Sequence, residues 1–343
     1  MNDKDIDAML DGVMHKHKQR PSGDELIYAI QNKGGETKSR AIVRRAYVFD
    51  LMCDVIVNNY DKCVNDIFTD KGELRKVFDT LNKKYEKILD AVAEFERRKR
   101  SSSLFFGDDD DTPFSFGMRM YGCLLDGVNM FSSTFKARLP SDFPFERCRE
   151  LIRKYNTNNV MYDPSCGWGS RLCACINEGV DYYGTDPNDK LIPRLQKMGD
   201  MTKSVLHSSS CFKLYCQGSE HPIESLVGKC GLILTSPPYF DLEDYRYGEQ
   251  SIVGRDYGRW KEEFLRPTLQ NCYEYLTEDG HAIINIKNTG KYKMFDDTLR
   301  LAEEVGFKLK CFETLEVKQR YANNETHSLN NDESCMVLVK SER

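Results

Sequence analysis

The chain has 343 residues, with 49 Lys and Arg against 54 Asp and Glu and a formal net charge of −5, so any polyanion would have to be met by local patches. No apolar run approaches the roughly 18 residues of a membrane span, and the charged amino terminus lacks the apolar core of a secretory leader. The 13 cysteines are scattered and odd in number with no C-x-x-C, Cys173 and Cys175 being the nearest pair, which points to reduced thiols in a cytoplasmic compartment and to no metal site.

The length suggests two domains. Residues 1–105 read as helical and highly charged. Apolar residues recur three or four apart in "SRAIVRRAYVFDLMCDVIVNNY" (39–60) and "ELRKVFDTLNKKYEKILDAVAEFERRKR" (73–100). Val77, Leu81, Tyr85, Leu89, Val92 and Phe95 mark one face of the second stretch. Lys38, Arg40, Arg44 and Arg45 are interleaved with acids, and a solvated face is preferred over phosphate contact. Residues 106–113, including "GDDDDTP", read as a charged linker.

From 114 to 343 the texture changes to short strand-like runs separated by helical segments such as "RWKEEFLRPTLQNCYEYL" (259–276). That alternation predicts an α/β domain with a doubly wound, mostly parallel sheet. The closing runs "FKLKCFETLEVKQRY" and "ESCMVLVK" have no helix between them and predict an added hairpin.

Ligands of such sheets bind beyond the carboxyl ends of the strands, and each strand end here carries useful groups. The first is followed by Asp163-Pro164-Ser165-Cys166-Gly167-Trp168-Gly169-Ser170-Arg171. Gly167 and Gly169 allow a ligand to approach the backbone closely, although a G-x-G spacing alone is also that of an ordinary turn. The second strand leads into Gly184-Thr185-Asp186-Pro187-Asn188, where Asp186 is placed either to accept ribose hydroxyls or to cap a helix. The third leads into Gln217-Gly218-Ser219-Glu220, a turn that could lie along an adenine ring. The fourth, "GLILTSPPYF", ends in Ser236-Pro237-Pro238-Tyr239, a rigid turn whose prolines donate no backbone hydrogen bond.

Together these turns resemble the S-adenosylmethionine-dependent DNA amino-methyltransferases, which carry a D-P-x-x-G-x-G turn, an acidic second-strand end and a [DNS]-P-P-[YFW] tetrapeptide. The resemblance spans roughly residues 130–340 and includes "YRYGEQSIVG" after the tetrapeptide. It implies a class I, Rossmann-like seven-stranded sheet ending in an antiparallel hairpin, beside an N-terminal helical domain. It further implies S-adenosylmethionine held by Asp163, Pro164, Ser165, Gly167, Gly169, Asp186, Gly218 and Ser219. Phe135, in "MFSSTFKARLP" (130–140), is the candidate at the methionine end, its alternative being a plain core residue. Ser236, Pro237, Pro238 and Tyr239 are the implied catalytic residues, acting on a flipped DNA base.

S-P-P-Y members of that family tend to methylate cytosine N4, so this target is favoured over adenine N6. An RNA or protein amine, or a binding module without catalysis, are the alternatives. Target recognition is expected from the helical first domain or from loop 240–258 with Arg246, Arg255 and Arg259, because the last strand lies close to the end of the sequence. The N-terminal helices could equally serve a homodimer or a protein partner. The cofactor and catalytic turns are expected two strands apart.

Overall fold

The structure, a computed structural model, describes residues 3–19, 47–57, 60–84, 121–122, 124–125, 127–240, 242–246, 250–251, 254–314 and 334–341. The chain divides into two compact units. One comprises Met1–Pro21, Asp50–Pro140 and Asp244–Arg246, and the other Ser22–Phe49, Ser141–Glu243 and Tyr247–Arg343. The first unit thus reaches Pro140, past the expected boundary near residue 105, and the linker at 106–113 lies outside the described residues.

In the first unit, α1 (Asp3–Lys18), α2 (Val64–Phe68) and α3 (Lys71–Lys84) bury Leu10, Val13, Ile67, Phe68, Leu74, Val77, Phe78 and Leu81. The apolar spacing in α3 explains this core, and Val77 and Leu81 fall on the predicted face. Tyr85, Leu89, Val92 and Phe95 lie outside the described residues. The helix expected over 39–60 is not continuous: Phe49–Cys53 is helical, but Ile56–Val57 is a short strand, as β-branched residues favour. Arg75 is tied to Asp3 at 3.0 Å and Asp79 at 3.2 Å on the outer face.

The second unit is built on a seven-stranded sheet. Its elements are α4 (Phe145–Tyr155), β1 (Val160–Asp163), α5 (Ser170–Glu178), β2 (Asp181–Thr185), α6 (Ile192–Leu206), β3 (Phe212–Tyr215), β4 (Cys230–Thr235), α7 (Arg266–Tyr275), β5 (Leu276–Asn285), α8 (Met294–Val305), β6 (Phe307–Thr314) and β7 (Ser334–Lys340). The strand order is β3-β2-β1-β4-β5-β7-β6. β7 runs antiparallel to both β5 and β6, while the other pairings are parallel. The hairpin is therefore present, and its second strand is the inner one. β4 is buried along its whole length, which its continuous apolar run requires in a sheet covered on both faces.

One predicted helix is interrupted. Residues 261–265 form a π-helical stretch between a helical turn at Tyr257–Trp260 and α7. Pro267, at the start of α7, lacks the N–H that would continue the α-helical ladder through this point. Among the described residues every cysteine is a free thiol, no acid, His or Cys cluster could hold a metal, and no helix is long and apolar enough to cross a membrane.

Candidate active site

The strand order reverses between β1 and β4: β1 is followed in sequence by β2 on one side, and the chain later returns on the other with β4. That is the switch point at which doubly wound sheets form a crevice. The glycine turn follows β1 and the Ser-Pro-Pro-Tyr turn follows β4. Met161 pairs with Leu232 and Tyr162 with Ile233, so the two turns leave neighbouring strands, and the expected two-strand separation is corrected.

The glycine turn is fixed by a buried ion pair. Arg171 Nε donates to Asp163 Oδ2 at 2.7 Å, with side chains 5% and 0% exposed. Tyr182 Oη donates to the same carboxylate at 2.9 Å and the Ser165 N–H at 3.2 Å, while Arg171 also donates to the Ser165 carbonyl. Burial pushes the Asp163 carboxyl up against the pull of Arg171. Burial disfavours the Arg171 charge as well, but Asp163 holds that group well above its ordinary value. Asp163 therefore shapes the turn through groups of the protein itself.

Pro164 and Ser165 contribute backbone. The Pro164 carbonyl accepts from Thr185 Oγ1 at 2.9 Å, and the Cys166 N–H donates to the Thr185 carbonyl at 3.0 Å, welding the turn to β2. Gly167 and Gly169 take φ of +55° and +85°. A Cβ on Gly169 would lie 2.0 Å from Met198 Cε, so this position needs glycine for space as well as for conformation.

Asp186, just past the end of β2, is half-buried and accepts from the N–H groups of Asn188, at 3.0 Å, and Gly167. Loss of bulk water outweighs these bonds and pushes its carboxyl up to about 6. A carboxylate has roughly four acceptor sites, so two remain for hydroxyls of a ligand. Both roles weighed for Asp186 are thus compatible with its position: it holds the Asn188 N–H and keeps acceptor capacity.

After β3, the Ser219 hydroxyl is buried and 2.9 Å from Thr268 Oγ1, and the Ser219 carbonyl accepts from Asn271 Nδ2 at 2.8 Å. Ser219 thus anchors its turn to α7. Gly218 leaves room for the neighbouring Glu220, whose Oε2 would lie 2.1 Å from a Cβ placed there. Glu220 Oε2 and the Tyr215 hydroxyl are buried without hydrogen-bond partners. The only signal for Glu220 in the sequence is an acid at a strand end.

At the end of β4, Ser236 is half-buried and its Oγ accepts from Asn285 Nδ2 at 3.1 Å. Pro237 is buried, while Pro238 and Tyr239 are half-buried, Tyr239 packing against the core. Phe240 locks the turn from behind, with ring centroids 5.0 Å from Tyr292, 5.4 Å from Tyr257 and 5.8 Å from Trp260. The Tyr257 hydroxyl donates to Asp297 at 2.8 Å. Asn285 was not apparent from the sequence, where it is simply the end of a buried apolar strand.

Phe135 ends a short helix, Ser132–Phe135, in the first unit. Within the second unit, Phe143 stands beside the glycine turn, its ring centroid 5.5 Å from the Arg171 guanidinium. Arg246 belongs to the first unit. Arg255 pairs with Glu263 at 3.3 Å and Glu220 at 3.8 Å, and Arg259 with Glu263 at 2.8 Å. Lys38, Arg40, Arg44, Arg45 and the Tyr247-Gly248-Glu249 segment lie outside the described residues.

The sheet order, with its switch point between β1 and β4, is that of the class I, Rossmann-like methyltransferase fold. No family model matches the chain. Over 81 residues it is 36% identical to the type II methyltransferase M.MjaVI of Methanocaldococcus jannaschii, covering 22% of this chain and 40% of that protein. The chain thus spans well under two thirds of the curated relative it matches. Solved structures resembling it include a TehB-like SAM-dependent methyltransferase from Corynebacterium glutamicum, at 19% identity and a TM-score of 0.37 over 59% of this chain and 90% of that one. A SAM-dependent methyltransferase from Agrobacterium tumefaciens has 13% identity and a TM-score of 0.40 over 60% and 65%. A putative rRNA-methylase from Clostridium thermocellum has 15% identity and a TM-score of 0.38 over 59% and 99%.

Proposed function

We propose that the chain is an S-adenosylmethionine-dependent methyltransferase acting on an exocyclic amine of a DNA base, with cytosine N4 favoured over adenine N6. One observation carries the reading: Ser236-Pro237-Pro238-Tyr239 leaves the strand next to the glycine turn, at the switch point of the sheet. The partial match to a type II methyltransferase supports it.

The residues present fit the cofactor. Asp186 keeps acceptor sites for two ribose hydroxyls beside the glycine turn. Glu220 Oε2, buried and unpartnered, is a ready acceptor for the amino group of an adenine. The cofactor, when bound, supplies an electrophilic methyl on a sulfonium with a neutral leaving group.

The rest falls to the chain. The amine of a base is a poor nucleophile because its lone pair is delocalised into the ring. Ser236 Oγ and the Pro237 carbonyl accept its two N–H groups, favouring a pyramidal nitrogen with its lone pair aimed at the methyl. The turn must hold that nitrogen about 3–3.5 Å from the methyl carbon, in line with the breaking bond. The cofactor would leave as a neutral sulfide once its methyl had passed to the nitrogen, and the amine proton, acidified by alkylation, would pass to water. No strong base is required. Tyr239 offers a face for the target base, worth about 1–3 kcal/mol, against the few kcal/mol needed to flip that base from a duplex.

The test is incubation of the protein with DNA and isotopically labelled S-adenosylmethionine, followed by mass spectrometry of the digested nucleosides. Label on N4-methylcytosine is expected. Label on N6-methyladenine changes the base and leaves the mechanism, whereas label confined to RNA or protein overturns the DNA assignment. Cofactor binding with no transfer to any acceptor would leave a binding module.

A further inference from the structure

Asn285 closes β5, one residue beyond the paired Ile284 and Thr235, and is 6% exposed. Its Nδ2 donates to Ser236 Oγ at 3.1 Å, while its Oδ1 is buried and has no partner. Thr235 Oγ1, on the residue before Ser236, is likewise buried and unpartnered. Buried polar atoms are nearly always paired, so two orphans flanking the Ser236 hydroxyl call for a role.

An incoming –NH₂ group offers donors only, so Ser236 Oγ must accept. While Asn285 Nδ2 donates into Oγ, one lone pair is occupied and the hydroxyl proton is turned away from Asn285. In the cleft that proton opposes the amine. A half-turn of the Asn285 amide about χ2, a broad two-fold torsion, exchanges its two ends. Oδ1 then accepts the hydroxyl proton, Nδ2 gives up its bond to Oγ and takes the buried place that Oδ1 had, and Oγ presents both lone pairs to the substrate. Hydrogen bonds in series polarise one another, which makes Oγ a better acceptor.

We propose that Asn285 is a positioning residue that sets the polarity of the Ser236 hydroxyl, accepting its proton when the amine is bound. The inference rests on the methyl-transfer reading of the tetrapeptide.

The experiment compares wild type, Asn285→Ala and Asn285→Asp with labelled S-adenosylmethionine and unmethylated plasmid DNA, with total RNA as second acceptor. It measures kcat, KM and cofactor affinity across the pH range in which a carboxylate titrates. Asn285→Ala should lower kcat by about 10- to 100-fold, less than removal of a group that touches the reacting atoms, with cofactor affinity unchanged. Asn285→Asp, which can only accept while ionised, should retain most of kcat at high pH. Its kcat should fall as its carboxyl protonates, an acid limb absent from wild type and foreign to a merely structural role.

Unchanged kcat in Asn285→Ala, with wild type active, overturns the inference alone. So does an Asp variant as impaired as the Ala variant at every pH, because the amide N–H would then be the essential end. If Asn285→Ala does not fold, as judged by loss of cofactor binding, the pH profile of the Asp variant decides. Wild type that labels neither DNA nor RNA overturns the methyl-transfer reading and this inference with it.

Discussion

The two turns on either side of the switch point are built differently. After β1, the turn is complete in itself: Asp163 is saturated by Arg171, Tyr182 and the Ser165 N–H, and the backbone is bonded to β2. After β4, the turn is rigid in its backbone but leaves polar atoms at Thr235 and Asn285 without partners. A turn that only shapes the backbone around a ligand can be finished before the ligand arrives, while capacity for the ligand itself stays open at Asp186 and Glu220. A surface that performs a reaction keeps hydrogen-bonding capacity for the reacting group, at some cost in stability.

The largest effect is expected at the buried pair. Arg171→Met leaves the Asp163 carboxylate buried without its cation, and a loss of about 3–5 kcal/mol in unfolding free energy is expected. Urea denaturation measures it. A loss under about 1 kcal/mol would show that the turn is not organised by this pair. Asp186→Ala should act on cofactor affinity, weakening binding by about 1.5–3 kcal/mol as its charge-assisted bonds go unmade.

The titration of Asp186 sharpens the same point. Its carboxyl sits at about 6 in the folded chain against an ordinary 3.8. The unfolded chain therefore loses this proton first, and the group's contribution to the stability of the free protein falls as pH rises between those values. Accepting ribose hydroxyls needs the ionised form, so cofactor affinity should rise over that same interval. Calorimetry and melting at pH values spanning it should move in opposite directions. A parallel movement would detach Asp186 from the cofactor.

Tyr239→Ala is expected to weaken productive binding of the nucleic acid by about 1–3 kcal/mol while cofactor affinity survives. The smallest change is Ser219→Ala, which removes the bond to Thr268 and should cost about 0.5–1.5 kcal/mol of stability. A larger fall in cofactor affinity than in stability would give Ser219 a direct contact instead of an anchoring one.

Much of the second unit was legible because its strands are short runs of strand formers that stop at turn residues: β1 to β4 are "VMYD", "DYYGT", "FKLY" and "CGLILT", and β5 ends in "GHAIIN". The carboxyl-edge position of Asp186 and Ser236 followed from that. The order of pairing did not, since hydropathy does not encode neighbours, and the adjacency of β1 and β4 emerged only from the register. Arg171 was visible as the last residue of a motif, but its burial depends on Asp163 and Tyr182 meeting it from two other elements. Asn285 and Phe143 carry no local pattern: one ends an apolar strand and the other precedes a helix.

In the proposed function the β1 and β2 turns hold the cofactor while the β4 turn acts on the acceptor, and calorimetric titration of S-adenosylmethionine into wild type, Asp186→Ala and Ser236→Ala separates the two roles. Binding to wild type, weakened binding to Asp186→Ala and wild-type affinity in a Ser236→Ala variant that no longer turns over are the predicted results. No binding to wild type, or equal weakening in both variants, would contradict the account.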